Sequence, residues 1–186
     1  MMPSESALLF VSTLYRNADV FNRAKEILQN NFGDVLFEST SLTWDYSSYY
    51  KDEIGWPLFR QIIFFKNIVD PVLLVDIKLK TNEIESAFSL NGKRLINLDP
   101  GYLTLSKIVL ASTKNYAHRI YLGKSIYGEV TLIFKNGTYS QHIFTYRDYQ
   151  DTSHIDIFLN ARALLKKMLL TTEATKCHSE FGSESQ

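Results

Sequence analysis

The chain opens on an unbroken apolar run. Residues 7–15 read ALLFVSTLY, which predicts a buried strand. Asn17 then offers an N-cap, and Val20, Ala24, Ile27 and Leu28 form one helical stripe that Gly33 stops. Residues 34–44 alternate as a second strand, and 57–66 (PLFRQIIFFK) as a third, with Pro57 at its first position. Between them Asp45 to Gly55 is aromatic and acidic and reads as a loop or short helix. Asp70-Pro71 starts a second helix, in which Leu73, Ile77, Thr81, Ile84 and Phe88 recur at helical spacing to Leu90. Asn91-Gly92 ends the helix or turns the chain into a strand over 93–98, and Asp99-Pro100-Gly101-Tyr102 reads as a rigid turn. Residues 102–112 fit a strand or a short helix, and 118–122 a short strand. IYGEVTLIFK and TYSQHIFTY flank Asn136-Gly137, the preferred two-residue hairpin turn. A last helix begins near Ser153, with Asp156 in the capping-box position and Ile155, Phe158, Leu159, Arg162, Leu165 and Met168 on one face.

These elements predict a single α+β domain over residues 1–172, with a mixed or antiparallel sheet and three main helices. The first six follow the βαββαβ order of ferredoxin-like domains, and a hairpin and closing helix come after. Residues 173–186 hold one large apolar residue, Phe181, which predicts a disordered tail. The chain has 186 residues, 45% hydrophobic and 22% charged, ordinary for one globular domain. Its single cysteine, Cys177, excludes a disulfide framework. The apolar run at 7–11 is too short for a signal core or a membrane span, so the expected compartment is the cytoplasm, with no membrane partner. A formal net charge of zero weighs against general nucleic-acid binding.

Charge is nevertheless uneven. The stretch from Lys93 to Lys135 carries a net +5, and that from Asp34 to Trp56 a net −4. The first suits an anion such as phosphate or a carboxylate; it also suits a solvated face paired with the second. With a two-residue turn, Lys135 faces Thr138, Phe134 faces Tyr139, Val130 faces Ile143 and Thr131 faces His142. Tyr127, Glu129 and Thr131 then share one face. A glutamate inside apolar strand sequence is either simply exposed or lines a pocket. Lys78, Asn82 and Glu85 form a polar stripe beside the apolar one, a boundary ladder or one wall of a cleft. Gly123-Lys124-Ser125 ends like a phosphate loop, but position 118 is histidine where that motif needs glycine. His118, His142 and His154 are scattered, Cys177-His178 has no partner ligands, and no spacing specifies a metal or cofactor.

The strings DYSSYYKDEIG (45–55), KLKTNEIE (78–85), the block from Asn97 to Gly137 and FTYRDY (144–149) resemble the prokaryotic family catalogued as domain of unknown function 4416. The resemblance implies positions rather than an activity. It departs at Ile54, where methionine is usual, and at Phe144 and Arg147, where tryptophan and proline are usual. The family positions are mainly polar, ionisable and aromatic, and they set the candidate ligand-binding residues: Tyr49, Tyr50, Glu53, Lys78, Asn82, Glu85, Asp99, Tyr102, Lys114, His118, Arg119, Tyr121, Glu129, Thr131 and Asp148. The expected function is a polar and aromatic pocket for a small anionic or nucleotide-like ligand, with acid/base candidates among the carboxylates. Two readings compete. One is a non-enzymatic module for RNA or protein, using Tyr102, Tyr116, Tyr121 and Tyr127 among basic side chains. The other is a structural subunit with buried polar networks.

Overall fold

A computed structural model describes residues 6–181, with side chains through Thr172. β1 (Ala7–Tyr15) is buried along its whole length. α1 (Ala18–Phe32) starts at the Asn17 cap, whose side chain accepts the Asp19 and Val20 amides. Its buried stripe is Phe21, Ala24 and Leu28, while Ile27 is 36% exposed. The stripe turns this way because Phe21 stacks on Tyr15 at 4.6 Å.

The expected strand over 34–44 is two strands, β2 (Val35–Glu38) and β3 (Leu42–Trp44), both paired with β4 (Leu58–Val69). They separate at Ser39, whose hydroxyl accepts the Ile62 amide. A 3-10 turn over Pro71–Leu73, capped by Asp70, precedes α2 (Leu74–Ala87). Leu73 is therefore exposed, and Leu74, Ile77, Thr81 and Ile84 are buried instead. A small hairpin follows, β5 (Ser89–Leu90) and β6 (Lys93–Arg94).

β7 spans Ile96–Leu103, so Asp99-Pro100-Gly101-Tyr102 is strand and not turn. Eight register pairs with β1 hold it extended. β8 (Lys107–Ser112) settles the ambiguous stretch as strand. β9 (Ile120–Gly123) and β11 (Thr138–Ser140) both pair with β10 (Ile126–Lys135). α3 (Thr152–Phe181) closes the described chain. It continues past residue 173, the expected start of the tail; side chains after Thr172 and residues 182–186 lie outside the described residues.

The main sheet runs β11-β10-β8-β7-β1-β4-β2, with antiparallel neighbours. Its β7-β1-β4-β2 portion, crossed by α1 and α2, is the expected ferredoxin-like arrangement within an α+β fold. α1 and α2 cover one face, packing on Leu9, Val11, Ile63, Phe65 and Leu98. α3 covers the other, where Phe158, Ala161 and Leu165 meet Phe10, Phe64, Ile108, Leu110 and Leu132.

The hairpin register holds for Lys135↔Thr138 and Phe134↔Tyr139 but ends at Ile133↔Ser140. The expected pairs of Val130 with Ile143 and Thr131 with His142 do not form. Instead the His142 ring contacts the Val130 carbonyl, and the Thr145 hydroxyl donates to the Thr131 carbonyl. A bulge also interrupts β10, because Val130 pairs with Val109 and Leu132 with Ile108. Thr131 is the extra residue. Glu129, opposite Leu110, and Leu132, opposite Ile108, therefore share the α3 side of the sheet.

Candidate ligand cavity

The sheet opens between β7 and β8. Their ladder holds three pairs, Gly101↔Leu110, Tyr102↔Val109 and Leu103↔Ile108. Before Gly101, β7 pairs only with β1. An open strand edge leaves backbone groups that need partners. α2 supplies them: Glu85 accepts the Leu98 amide, and Lys78 donates to the Leu98 carbonyl at 2.9 Å. Pro100 sits where the β8 ladder stops, and it has no N–H to satisfy. The strands converge again at Gly101, where a Cβ would lie 2.5 Å from the Phe10 ring and the Val109 carbonyl.

The opening leads into a cavity of about 620 Å³. Side chains from β3, the 45–55 segment, β4, α2, β6, β7, β8, the loop after it, β10 and the turn before α3 line it. Six cationic side chains face four carboxylates there: Arg60, Lys78, Arg94, Lys114, Arg119 and Arg147 against Glu85, Asp99, Glu129 and Asp148.

Most of these charges neutralise one another. Arg60 lies between Leu58 and Ile62 on the core side of β4, so its guanidinium needs a buried counter-charge. Asp148 provides it at 3.1 Å from the turn before α3, and also accepts the Trp44 indole N–H at 2.9 Å. Arg94 makes a two-pronged contact with Glu53 at 2.6 and 2.8 Å, and reaches Glu85 at 2.8 Å. The Arg94 bonds hold the Glu53 carboxyl below its ordinary range, whereas burial pushes Glu85 up. Arg119 bonds Glu129 at 2.7 Å, Ser112 at 2.6 Å and the Lys114 carbonyl at 2.9 Å, and also reaches the Tyr146 hydroxyl. His118 meets the same Glu129 oxygen at 3.1 Å from behind, with its ring stacked 4.5 Å from that of Phe144.

Some lining groups remain available. The Lys114 ammonium has no carboxylate partner among the described residues and sits 4.8 Å from the centre of the Tyr49 ring. The Asn82 carboxamide and the Tyr50 hydroxyl have no hydrogen-bond partner among the described residues. Burial pushes the Tyr50 phenol up, so it keeps its proton. Asp99 receives Lys78 at 3.4 Å and Asn97 at 2.7 Å, one on each oxygen, and keeps 32% of its side chain open to the cavity. Burial alone would raise its pKa; Lys78, Arg60 and Asn97 outweigh that and hold it below the ordinary range.

Ten of the candidate residues therefore converge on the cavity: Tyr49, Tyr50, Lys78, Asn82, Glu85, Asp99, Lys114, Arg119, Glu129 and Asp148. Glu53 and His118 stand behind it, on Arg94 and Glu129. Three lie elsewhere. Tyr102 points to the α2 side and packs near Leu74 and Val109, because even-numbered β7 residues face that layer. Tyr121 is 61% exposed on β9. Thr131 is the buried bulge residue, its hydroxyl without a partner. The lining residues outside the candidate set include Arg60, Arg94, Asn97, Trp44, Tyr146 and Arg147. The signal for Arg60 was a single arginine inside the apolar strand LFRQIIFF. Among the described residues no three His, Cys, Asp or Glu side chains are grouped to hold a metal, and no helix is long and apolar enough to cross a membrane.

No curated protein and no solved structure matches the chain. A family model matches residues 5–164, a span that includes every cavity-lining residue. By that match the chain belongs to the family described as domain of unknown function, DUF4416.

Proposed function

We propose that the cavity binds a small organic anion. The observation that carries this reading is Lys114: an ammonium without a carboxylate partner on a cavity whose deeper cations are paired. Arg147 lines the same space without an ion-pair partner among the described residues, so the excess charge there is positive. The volume falls within the roughly 300–1,000 Å³ of small-molecule sites. Glu53, Glu85 and Asp148 use both carboxylate oxygens within the fold, which makes them positioning groups rather than acid/base groups. A second reading, a surface for RNA or protein, draws on Tyr116 and Tyr121, which are 49% and 61% exposed. Zero net charge weighs against the RNA form of it. Single-cysteine composition supports a cytoplasmic setting.

The test is a panel of small phosphates and carboxylates followed by calorimetry. Lys114 is exposed, so Lys114→Ala should leave the melting temperature unchanged while weakening anion binding tenfold or more. No binding across the panel, or equal binding by the variant, overturns the reading.

A further inference from the structure

We infer that this anion is a nucleotide, with its base against Asn82 and Tyr50 and its phosphate at Lys114. The inference rests on the anion reading and assigns the other end of the ligand. Once the bonds internal to the fold are subtracted, the inner wall presents three kinds of polar group. The Asn82 carboxamide offers a donor and an acceptor in one plane, which is the pattern that reads the edge of a nucleobase. The Tyr50 hydroxyl lines the same cavity. Its ring is fixed edge-to-face against Trp44 at 5.6 Å and Tyr49 at 5.0 Å, so the hydroxyl is aimed before any ligand arrives. Asp99 can only accept, and it has lone pairs left over after Lys78 and Asn97 are served. These groups call for a flat ligand edge that carries N–H donors beside an acceptor.

Other anions fit less well. Inorganic phosphate or a small carboxylate would engage Lys114 and leave Asn82 and Tyr50 without partners in a space of about 620 Å³. A dicarboxylate could meet Lys114 and Arg147, but it too would leave Asn82 and Tyr50 without partners. A base joined to a phosphate through a sugar meets both ends. The tyrosine rings add a stacking surface, and base–aromatic stacking is tolerant of base identity. Lys114 meets the phosphate as a point charge at the mouth, where Tyr49 is exposed beside it.

The experiment is isothermal titration of the full chain with AMP, GMP, CMP and UMP, with ribose 5-phosphate, and with the nucleoside of the tightest nucleotide. At least one nucleotide should bind tenfold or more tighter than ribose 5-phosphate. Asn82→Ala removes a side chain that has no partner in the fold, so the variant should fold, with circular dichroism as the check. It should abolish the nucleotide's advantage and leave ribose 5-phosphate binding unchanged. Lys114→Ala should weaken the nucleotide and ribose 5-phosphate alike, and leave the nucleoside unaffected. Ribose 5-phosphate binding as tightly as every nucleotide overturns the base assignment and leaves the anion reading standing. An unchanged nucleotide preference in Asn82→Ala overturns it too. Absence of binding by every phosphate overturns the nucleotide assignment, and absence of binding by the carboxylates as well overturns the anion reading with it.

Discussion

Arg119 and Glu129 have side chains only 1% and 3% exposed, and a 2.7 Å bond joins them. Removing one partner strands the other charge in the interior. Arg119→Ala and Glu129→Ala should each cost about 3–5 kcal/mol in urea denaturation. The double variant should lose much less than the sum, since neither charge is then left alone. Additive losses would mean that the two groups are stabilised separately. Residue chemistry of this kind was partly legible in the sequence. Glu129 stood out as a carboxylate in apolar strand sequence, and it does face inward. Its expected neighbours on that face do not join it: Thr131 is buried as the bulge residue, and His142 lies beyond the end of the hairpin pairing. Arg60 carried the same kind of signal, but an isolated arginine in a strand is as readily assigned to the outer face. What places it inside is Asp148, 88 positions away in the chain and invisible to local pattern.

Among the elements, the segment from Asp45 to Gly55 forms the cavity's outer wall without helix or strand. Ile54, Tyr46 and Tyr50 pack it on Leu14, Trp44 and Leu58, and its polar anchors are Glu53 on Arg94, the Asp52 carbonyl on Lys93, Tyr46 on Asp151, and Tyr49 beneath Lys114. Glu53→Ala removes the strongest of these. Glu53 and Arg94 are 24% and 27% exposed, so solvent moderates the loss and the melting temperature should change by a few degrees at most. Amide exchange in residues 45–55 should accelerate several-fold, with β1 and β4 unchanged. Unaltered exchange there would show that the remaining anchors suffice. Elsewhere the strength of local signals decided what could be read. Asn136-Gly137 gave its hairpin because the turn itself sets the register. Asp-Pro-Gly-Tyr at 99–102 carries equally strong turn chemistry, yet it lies in a central strand. Pairing with β1 on one side and α2 side chains on the other outweigh local preference.

For the molecule as a whole, acid should act through His154. This ring is 2% exposed, and neither nitrogen has a hydrogen-bond partner among the described residues. Burial and then Arg60 lower its pKa below 6.5, while Asp148 and Asp151 pull it upward less strongly. The unfolded chain therefore binds the proton more readily than the folded one. The contribution of His154 to stability is full above pH 6.5 and is lost as pH falls below that value towards the folded pKa. The urea midpoint should be lower at about pH 5.5 than at about pH 7.5, and His154→Leu should flatten the difference. An unchanged slope in the variant would assign the effect to other groups. The α+β class, the three helices and the ferredoxin-like strand order were readable from the sequence, because each depends on element type and sequence order. The gap between β7 and β8 was not readable, since it depends on where a ladder stops. That gap also gives the sheet a waist. Three residue pairs join β7 to β8, against eight for β1 and β7, and bending stiffness falls where a ladder is short. α2 crosses the waist as a strut, bonded to Leu98 on one side and packed through Leu74 on Val109 and Ile126 on the other. Any change of shape in this sheet would concentrate at that waist, beside the cavity.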